Sequence, residues 1–344
     1  MRGYVLDFLK GFLVQDIVLL VGLVVLLMRY HLFLWVLSFI LWYILFSAAY
    51  CAHIFPYGSA TLVAELIIFQ VIWIMAVFSL FGTVLTTPAD IPRSFVPPVL
   101  IFEKPNVAEE IAKWAREKKL PVRYIALSAN HGTIKCPPFC VRCRVIKPNR
   151  THHCRKCNRC IIRMDHHCPI IGRCIHMHNH KFFLLFLFWA AVLCFYAVLT
   201  TAPALFRRTP VVIWSFTGMV PSFVPGFSRR PPPPTDGLVA TCLVASGALN
   251  ALICGISLGI FSFQLGNSLL SNETTLESTS FQLCGGSDRR NPTDGITYDL
   301  GSKLANFRSI FGNNPYLWLL PVHSTYGDGL FKEFQLKNDL KRKY

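Results

Sequence analysis

Charged residues are few in this sequence: they make up 15% of its 344 residues, against about 25% in ordinary soluble domains, while 53% are hydrophobic. That balance excludes an ordinary water-soluble globule. Acidic residues are scarcer still, since 18 Asp and Glu face 34 Lys and Arg for a formal charge of +16. The apolar content is nevertheless too high for a disordered basic tail, so the two excesses must be segregated along the chain. No repeat with a period of about 20 to 50 residues is visible, which disfavours a solenoid. A small-residue cleavage site is also missing after the first apolar stretch, so a removable secretory signal is not expected there.

Apolar runs are what the sequence has in plenty, at residues 12–28, 32–50, 61–85, 182–200 and 238–265. The last four each reach about 18 residues or more, the length a helix needs to cross about 30 Å of hydrocarbon at about 1.5 Å per residue. These four are expected to be transmembrane helices. The first run is interrupted by Asp16 and separated from the second only by Arg29, Tyr30 and His31. It either lies in the interface or forms a fifth span. Trp35, Trp42 and Trp189 are interface anchors or lipid-facing side chains.

Between the third and fourth runs lies a polar segment, 86–181, which from Glu103 onward carries 17 basic residues and five acids. By the positive-inside rule it is expected in the cytosol. Two further spans then return residues 266–344 to the same side, and place the loop 202–237 in the lumen or outside the cell. Arg207, Arg208, Arg229 and Arg230 in that loop run against this topology, and Pro231 to Pro234 should form an extended spacer. Val107, Ile111, Trp114 and Ala115 recur at near-helical spacing, which predicts a short amphipathic helix over 107–119. The expected fold is therefore a membrane all-α bundle of four core transmembrane helices, with 12–28 a candidate fifth, carrying a small zinc-stabilised cytosolic cysteine-rich domain at 136–181. The expected order is an N-terminal membrane region (1–85), the cytosolic region (86–181), a membrane pair (182–265) and a cytosolic C-terminal region (266–344).

Eight of the 13 Cys fall between Cys136 and Cys174, and seven of the 11 His between His152 and His180. In the reducing cytosol such density reads first as metal ligation and second as catalysis. Cys140-x2-Cys143 is followed by His153, Cys154, Cys157 and Cys160, then by Asp165-His166-His167-Cys168, and finally by Cys174. A two-residue gap lets one tight turn deliver two thiolates to a tetrahedral zinc. Leaving out Cys168, six Cys with His153 and His167 provide eight ligands, enough for two closed structural sites. Cys168 is then left over, two residues after His166 and three after Asp165. An imidazole activates a thiol by taking its proton, and a carboxylate orients the imidazole. Spacing alone leaves two readings open: nucleophile, base and orienter, or further zinc ligands at Cys168 and His166.

The stretch 140–183 resembles the cysteine-rich domain of the DHHC-type protein S-acyltransferases, the protein palmitoyltransferases. The likeness includes Lys147-Pro148-x-Arg150 before His153-Cys154, and Pro169, Cys174, Asn179, Phe182 and Phe183 after the signature. It extends to Thr274-Thr275-x-Glu277, to Tyr298-Asp299-x-Gly301, and to Asn306 and Phe311-Gly312. The resemblance implies two interleaved zinc sites, Cys140, Cys143, His153 and Cys160 for one and Cys154, Cys157, His167 and Cys174 for the other. It further implies Cys168 as the acyl-accepting nucleophile, His166 as general base and Asp165 as the orienting carboxylate. Cys136 has no role in it and reads as a buried or surface thiol.

Three positions depart from the family pattern: Ile170 stands where Trp is usual, Arg173 where Asn is usual and His176 where Gly is usual. Residues 86–90 also lack the family's Asp-Pro-Gly. The Trp-to-Ile change bears most on turnover, because in the family that ring sits beside the reacting thioester. The implied activity is transfer of a fatty acyl group, palmitoyl above all, from acyl-CoA to cysteine thiols on the cytosolic faces of protein substrates. Arg155, Lys156, Arg159, Arg163, Arg173 and Lys181 are candidates to meet the CoA phosphates. The other implied partner is membrane lipid, with no nucleic acid, and the implied setting is a multi-pass protein of the endomembrane system or plasma membrane.

Rival readings are weaker on specific residues. A RING-type ubiquitin ligase needs a closing Cys-x2-Cys pair, and after Cys174 the next Cys is Cys194 in the following span. A nucleic-acid-binding zinc domain fits poorly between membrane spans. A catalytically silent scaffold of the same family is kept open by Ile170. For a transporter, the main polar intrusions in the spans are Glu65 and Asn250, which more often make helix contacts.

Overall fold

The computed structural model describes residues 60–122, 124–129, 132–217, 238–278, 298–325 and 327. The runs at 12–28 and 32–50 and the spacer Pro231 to Pro234 lie outside the described residues. The chain divides into two compact units. The larger is Tyr57–His167 with Arg173–Tyr344; in the other, Met1–Pro56 with Cys168–Gly172, the described residues are those of the second stretch. There the Gly172 N–H donates to the Cys168 carbonyl (2.9 Å), closing a tight turn, with Gly172 at φ 69°.

Among the described residues, three helices are long and apolar enough to cross a membrane: Ala64–Leu85, Met177–Pro203 and Val244–Leu270. The first belongs to α1 (Ala60–Leu85). Its buried hydroxyls bond back one turn, Ser79 to the Met75 carbonyl (2.6 Å) and Thr83 to the Ser79 carbonyl (2.8 Å), so no partner is needed from outside the helix.

Past α1 the chain makes two short 3-10 turns, Arg93–Phe95 and Val99–Glu103, then α2 (Val107–Glu117). The expected amphipathic helix is thus present. It buries Ile111, Ala112 and Ala115 against Phe95, Ile101, Cys136 and Ile146, and it stops where Lys119 takes a left-handed φ of 51°.

The cysteine-rich stretch has too few apolar residues for a layered core, and it folds as a chain of two-stranded ladders. These are β1 (Ile125–Ala129) with β2 (Gly132–Cys136), β3 (Phe139–Cys140) with β4 (Val145–Ile146), β5 (His152–Cys154) with β6 (Arg159–Ile161), and β7 (Met164–Cys168) with β8 (Arg173–His176). Two of the turns repeat one device. After Cys140-x2-Cys143 the chain reverses at Arg144 (φ 54°), and after Cys154-x2-Cys157 it reverses at Asn158 (φ 50°). In each turn the second Cys donates its backbone N–H to the first Cys sulfur, at 3.5 Å and 3.4 Å.

Helix α3 (Met177–Thr217) follows β8 directly, and α4 (Leu238–Leu270) returns beside it. The expected apolar run ended at residue 200. The helix continues to Thr217, so the first part of the expected loop 202–237 is helical. The three long helices pack closely where side chains are small: a Cβ on Gly82 would meet the Phe182 ring at 2.5 Å, and one on Gly255 would meet Cys194 at 3.1 Å. Of the polar intrusions, Glu65 accepts at its backbone carbonyl from the Tyr196 hydroxyl (2.9 Å), and Asn250 Oδ1 accepts from the Cys254 thiol one turn on (3.5 Å). The C-terminal part adds α5 (Lys303–Phe311), capped by Ser302 accepting from the Ala305 N–H (3.1 Å), and a 3-10 turn, Pro315–Leu317. Gly312, at φ 80°, ends α5 where a Cβ would strike the Ser324 carbonyl.

Candidate active site and metal clusters

The ladders bring eight Cys and His side chains into two clusters: Cys140, Cys143, His153 and Cys160, and Cys154, Cys157, His167 and Cys174. Within each, the four donor atoms lie within 4.8 Å of one another. These are the eight residues singled out in the sequence, partitioned as the resemblance implies. In the first, the sulfurs of Cys140, Cys143 and Cys160 stand 3.5, 3.3 and 3.8 Å from His153 Nδ1. In the second, those of Cys154, Cys157 and Cys174 each stand 3.5 Å from His167 Nδ1. A tetrahedral zinc with bonds of about 2.3 Å to sulfur and about 2.05 Å to nitrogen sets sulfur–nitrogen edges of about 3.6 Å, so both clusters fit that ion.

Electrostatics point the same way. Burial pushes the Cys160 and Cys174 thiols well above their ordinary range, and the neighbouring cluster thiols push them further. Cys140 and Cys154 are held low in spite of burial, chiefly by the backbone N–H groups of Cys143 and Cys157. Burial lowers His153 and His167, favouring the neutral imidazole a metal requires. Two such groups of crowded sulfurs without disulfides need a cation to be stable as thiolates.

Strand β7 carries Asp165, His166, His167 and Cys168 in sequence. His167 belongs to the second cluster, and Cys168 to neither. Asp165 is almost fully buried and accepts from His166 Nδ1 (2.6 Å), from the Thr275 N–H (2.8 Å) and from the Thr275 hydroxyl (2.8 Å). Burial alone would raise its pKa, but the bond to His166 and the others outweigh it and hold the carboxyl far below its ordinary range. An ionised Asp165 favours the His166 tautomer that carries its proton on Nδ1.

Thr275 is itself set in place by its neighbours. Thr274 accepts from the Glu277 N–H (3.3 Å) while Glu277 accepts from the Thr274 N–H (2.8 Å), a reciprocal capping box that starts the helical turn 275–278. Glu277 also receives a two-pronged bond from the buried Arg150 (2.9 Å each), whose guanidinium further donates to Asn272 and lies 4.4 Å from the centre of the Tyr298 ring. Sequence reasoning noted Arg150 and the Thr-Thr-x-Glu element but gave them no task. Asn272, which Arg163 also bonds, carried no sequence signal.

The sequence model of the DHHC palmitoyltransferase family matches residues 134–282. "Probable protein S-acyltransferase 12" of Arabidopsis thaliana is 30% identical over 275 residues, covering 78% of this chain and 77% of its own. The chain belongs to the DHHC palmitoyltransferase family. "Palmitoyltransferase ZDHHC20-B" of Danio rerio is likewise 30% identical over 275 residues, covering 78% of this chain and 74% of the relative. "Palmitoyltransferase ZDHHC20" of Mus musculus is 27% identical over 274 residues, covering 78% and 67% respectively.

Some cation candidates of this DHHC chain are already engaged. Arg163 is buried and bonds Asn272, and Lys181 is buried with its ammonium on the Leu317 carbonyl (2.7 Å), the Val322 carbonyl (2.9 Å) and the Ser324 hydroxyl (2.7 Å). Charge alone could not reveal that burial, and neither residue is available to a phosphate. Arg159 pairs with Asp90 (2.8 Å), whereas Arg155, Lys156 and Arg173 are exposed. Of the departures from the DHHC pattern, Ile170 and Arg173 are exposed and His176 is buried. Cys136 is buried too, its thiol directed at the Ala108 carbonyl (3.4 Å) and pushed up by burial.

Proposed function

We propose that this protein is a protein S-acyltransferase that moves a fatty acyl group from acyl-CoA to protein cysteines through a thioester on Cys168. The observation that carries the reading is the clamped Asp165–His166 pair on β7, two residues before a cysteine that neither metal cluster includes. The two-residue spacing of His166 and Cys168 in the sequence supports pairing them as base and nucleophile. His166 Nε2 takes the Cys168 proton, the sulfur attacks the thioester carbonyl, and CoA leaves as its thiol with a proton from His166. In the second half-reaction the acceptor cysteine attacks the acyl-enzyme, His166 again moving the proton and Cys168 leaving as the thiol. Each half exchanges one thioester for another, so little driving force is required.

Zinc, when bound, would offset part of the thiolate charge in each cluster, leaving one net negative charge per site, and would cross-link the ladders. Cys140, Cys143, His153 and Cys160 would hold one ion, and Cys154, Cys157, His167 and Cys174 the other. The three long apolar helices support an integral membrane protein. The basic 86–181 segment supports a cytosolic catalytic domain, and Arg155, Lys156 and Arg173 remain to meet CoA phosphates. The test is labelling of purified protein with a clickable fatty acyl-CoA. Hydroxylamine-sensitive label on wild type and none on Cys168→Ser is expected, and equal labelling of the two would overturn the assignment.

A further inference from the structure

Residues 315–322 read Pro-Tyr-Leu-Trp-Leu-Leu-Pro-Val, eight in a row without a charge. The stretch nevertheless exposes its large apolar side chains: Tyr316 is 88% exposed, Leu319 53% and Leu320 41%. Its place in the fold decides what covers them. The Leu317 and Val322 carbonyls accept from Lys181, and the Leu319 carbonyl accepts from Trp189 Nε1 (3.1 Å). Lys181 is the last charged residue before the apolar stretch 182–200, and Trp189 lies about 12 Å further along α3 at about 1.5 Å per residue. Because helical side chains lean toward the N-terminus, Leu319 sits between those two levels, several ångströms beyond the last charge of the span.

The backbone of the stretch is also prepared for a medium without water. Pro315 and Pro321 carry no N–H, and five of the six other N–H groups, those of Tyr316, Leu317, Trp318, Leu320 and Val322, find acceptors within residues 314–320. The carbonyls at 317, 319 and 322 take the Lys181 and Trp189 donors just described. Internal satisfaction of this extent lowers the cost of leaving water. We infer that residues 315–322 form an interfacial membrane anchor, docked on the first turns of α3, with Tyr316, Leu319 and Leu320 immersed in the same leaflet. The depth matches that of interfacial elements, about 5–10 Å into the headgroup and acyl boundary. Lys181 holds its ammonium at the polar border while tying the anchor to the span.

The inference rests on α3 crossing the bilayer and not on acyl transfer. The full chain is reconstituted into phosphatidylcholine vesicles with a genetically encoded coumarin amino acid in place of Tyr316, and in separate preparations in place of Phe195 in the span and of Lys303 on α5. Quenching by lipids carrying a nitroxide near the headgroup end of the acyl chain is compared with quenching by aqueous iodide. The Tyr316 label should be quenched by lipid several-fold more than the Lys303 label, and by iodide several-fold less. A Tyr316 label that iodide reaches as it reaches Lys303, or that neither quencher reaches because protein covers it, overturns the anchor. Absence of lipid quenching at Phe195 as well overturns the span with it, while the acyl-CoA labelling test stands apart from either result.

Discussion

Three donors converge on the Asp165 carboxylate, and two of them come from one residue, Thr275, far along the chain. A Thr275→Val variant keeps the backbone bond and loses the hydroxyl bond. Bonds to a charged acceptor are worth about 1.5–3 kcal/mol, so acylation should slow by about tenfold or more, with Thr275→Ser restoring most of the rate. Rapid-quench acylation of the three proteins, with metal content as a folding control, measures this. Unchanged acylation in Thr275→Val would mean that Asp165 needs no second anchor. Ile170 gives a prediction of the opposite sign. Its side chain is 55% exposed, so Ile170→Trp should leave thermal melting unchanged while speeding acylation by restoring the ring usual at that position. A fall in melting temperature would show that the surroundings are built around Ile.

At the level of the element, the turn 275–278 depends on the capping box of Thr274 and Glu277 and on Arg150 gripping the same carboxylate. Burial tends to raise the Glu277 pKa, but the Arg150 charge and bonds outweigh this and lower it. A carboxylate whose folded pKa is depressed adds stability above its unfolded pKa, about 4.3, and loses it as pH falls through the folded value. Glu277→Gln should therefore melt lower than wild type by an amount that is constant through neutral pH and closes only below about pH 4.3. The loss at neutral pH should be about 2 kcal/mol, as for a cap and a buried ion pair weakened together. A gap that varies between pH 6 and 8 would contradict the assignment. Elements of this kind were only half legible in the sequence. Helix α2 could be read from its apolar spacing because its partners lie within a few turns, and the two Cys-x2-Cys turns could be read because their geometry is local. The link from Thr275 to Asp165 spans 110 residues, and no periodicity encodes it.

For the whole molecule, packing of the long helices depends on positions where nothing larger than hydrogen fits. Gly82→Ala would drive a methyl into the Phe182 ring, beside Asn179, whose amide ties the Thr83 carbonyl to the Cys174 carbonyl (3.0 Å each). Overpacking of this sort costs about 1–3 kcal/mol, so the variant should melt several degrees lower in detergent. An unchanged melt would show that α1 and α3 can separate freely. The sequence located these helices through their length and composition, but gave no signal for the close approach at Gly82 or for the burial of Arg163 and Lys181. Side chains that look alike in a sequence differ in what lies above them.

His153 and Cys154 are neighbours on β5, yet they face different clusters, His153 with Cys140, Cys143 and Cys160, and Cys154 with Cys157, His167 and Cys174. One peptide bond therefore couples two coordination spheres. Removing either ion frees one end of β5 and disturbs the ligand beside it, so occupancy should be all or none. Native mass spectrometry during slow chelation is expected to find chains with two metal ions and chains with none, with the singly loaded form scarce throughout. Since His167 lies between His166 and Cys168, the acyl-transfer rate should fall in step with the doubly loaded population, as though the two ions were one component.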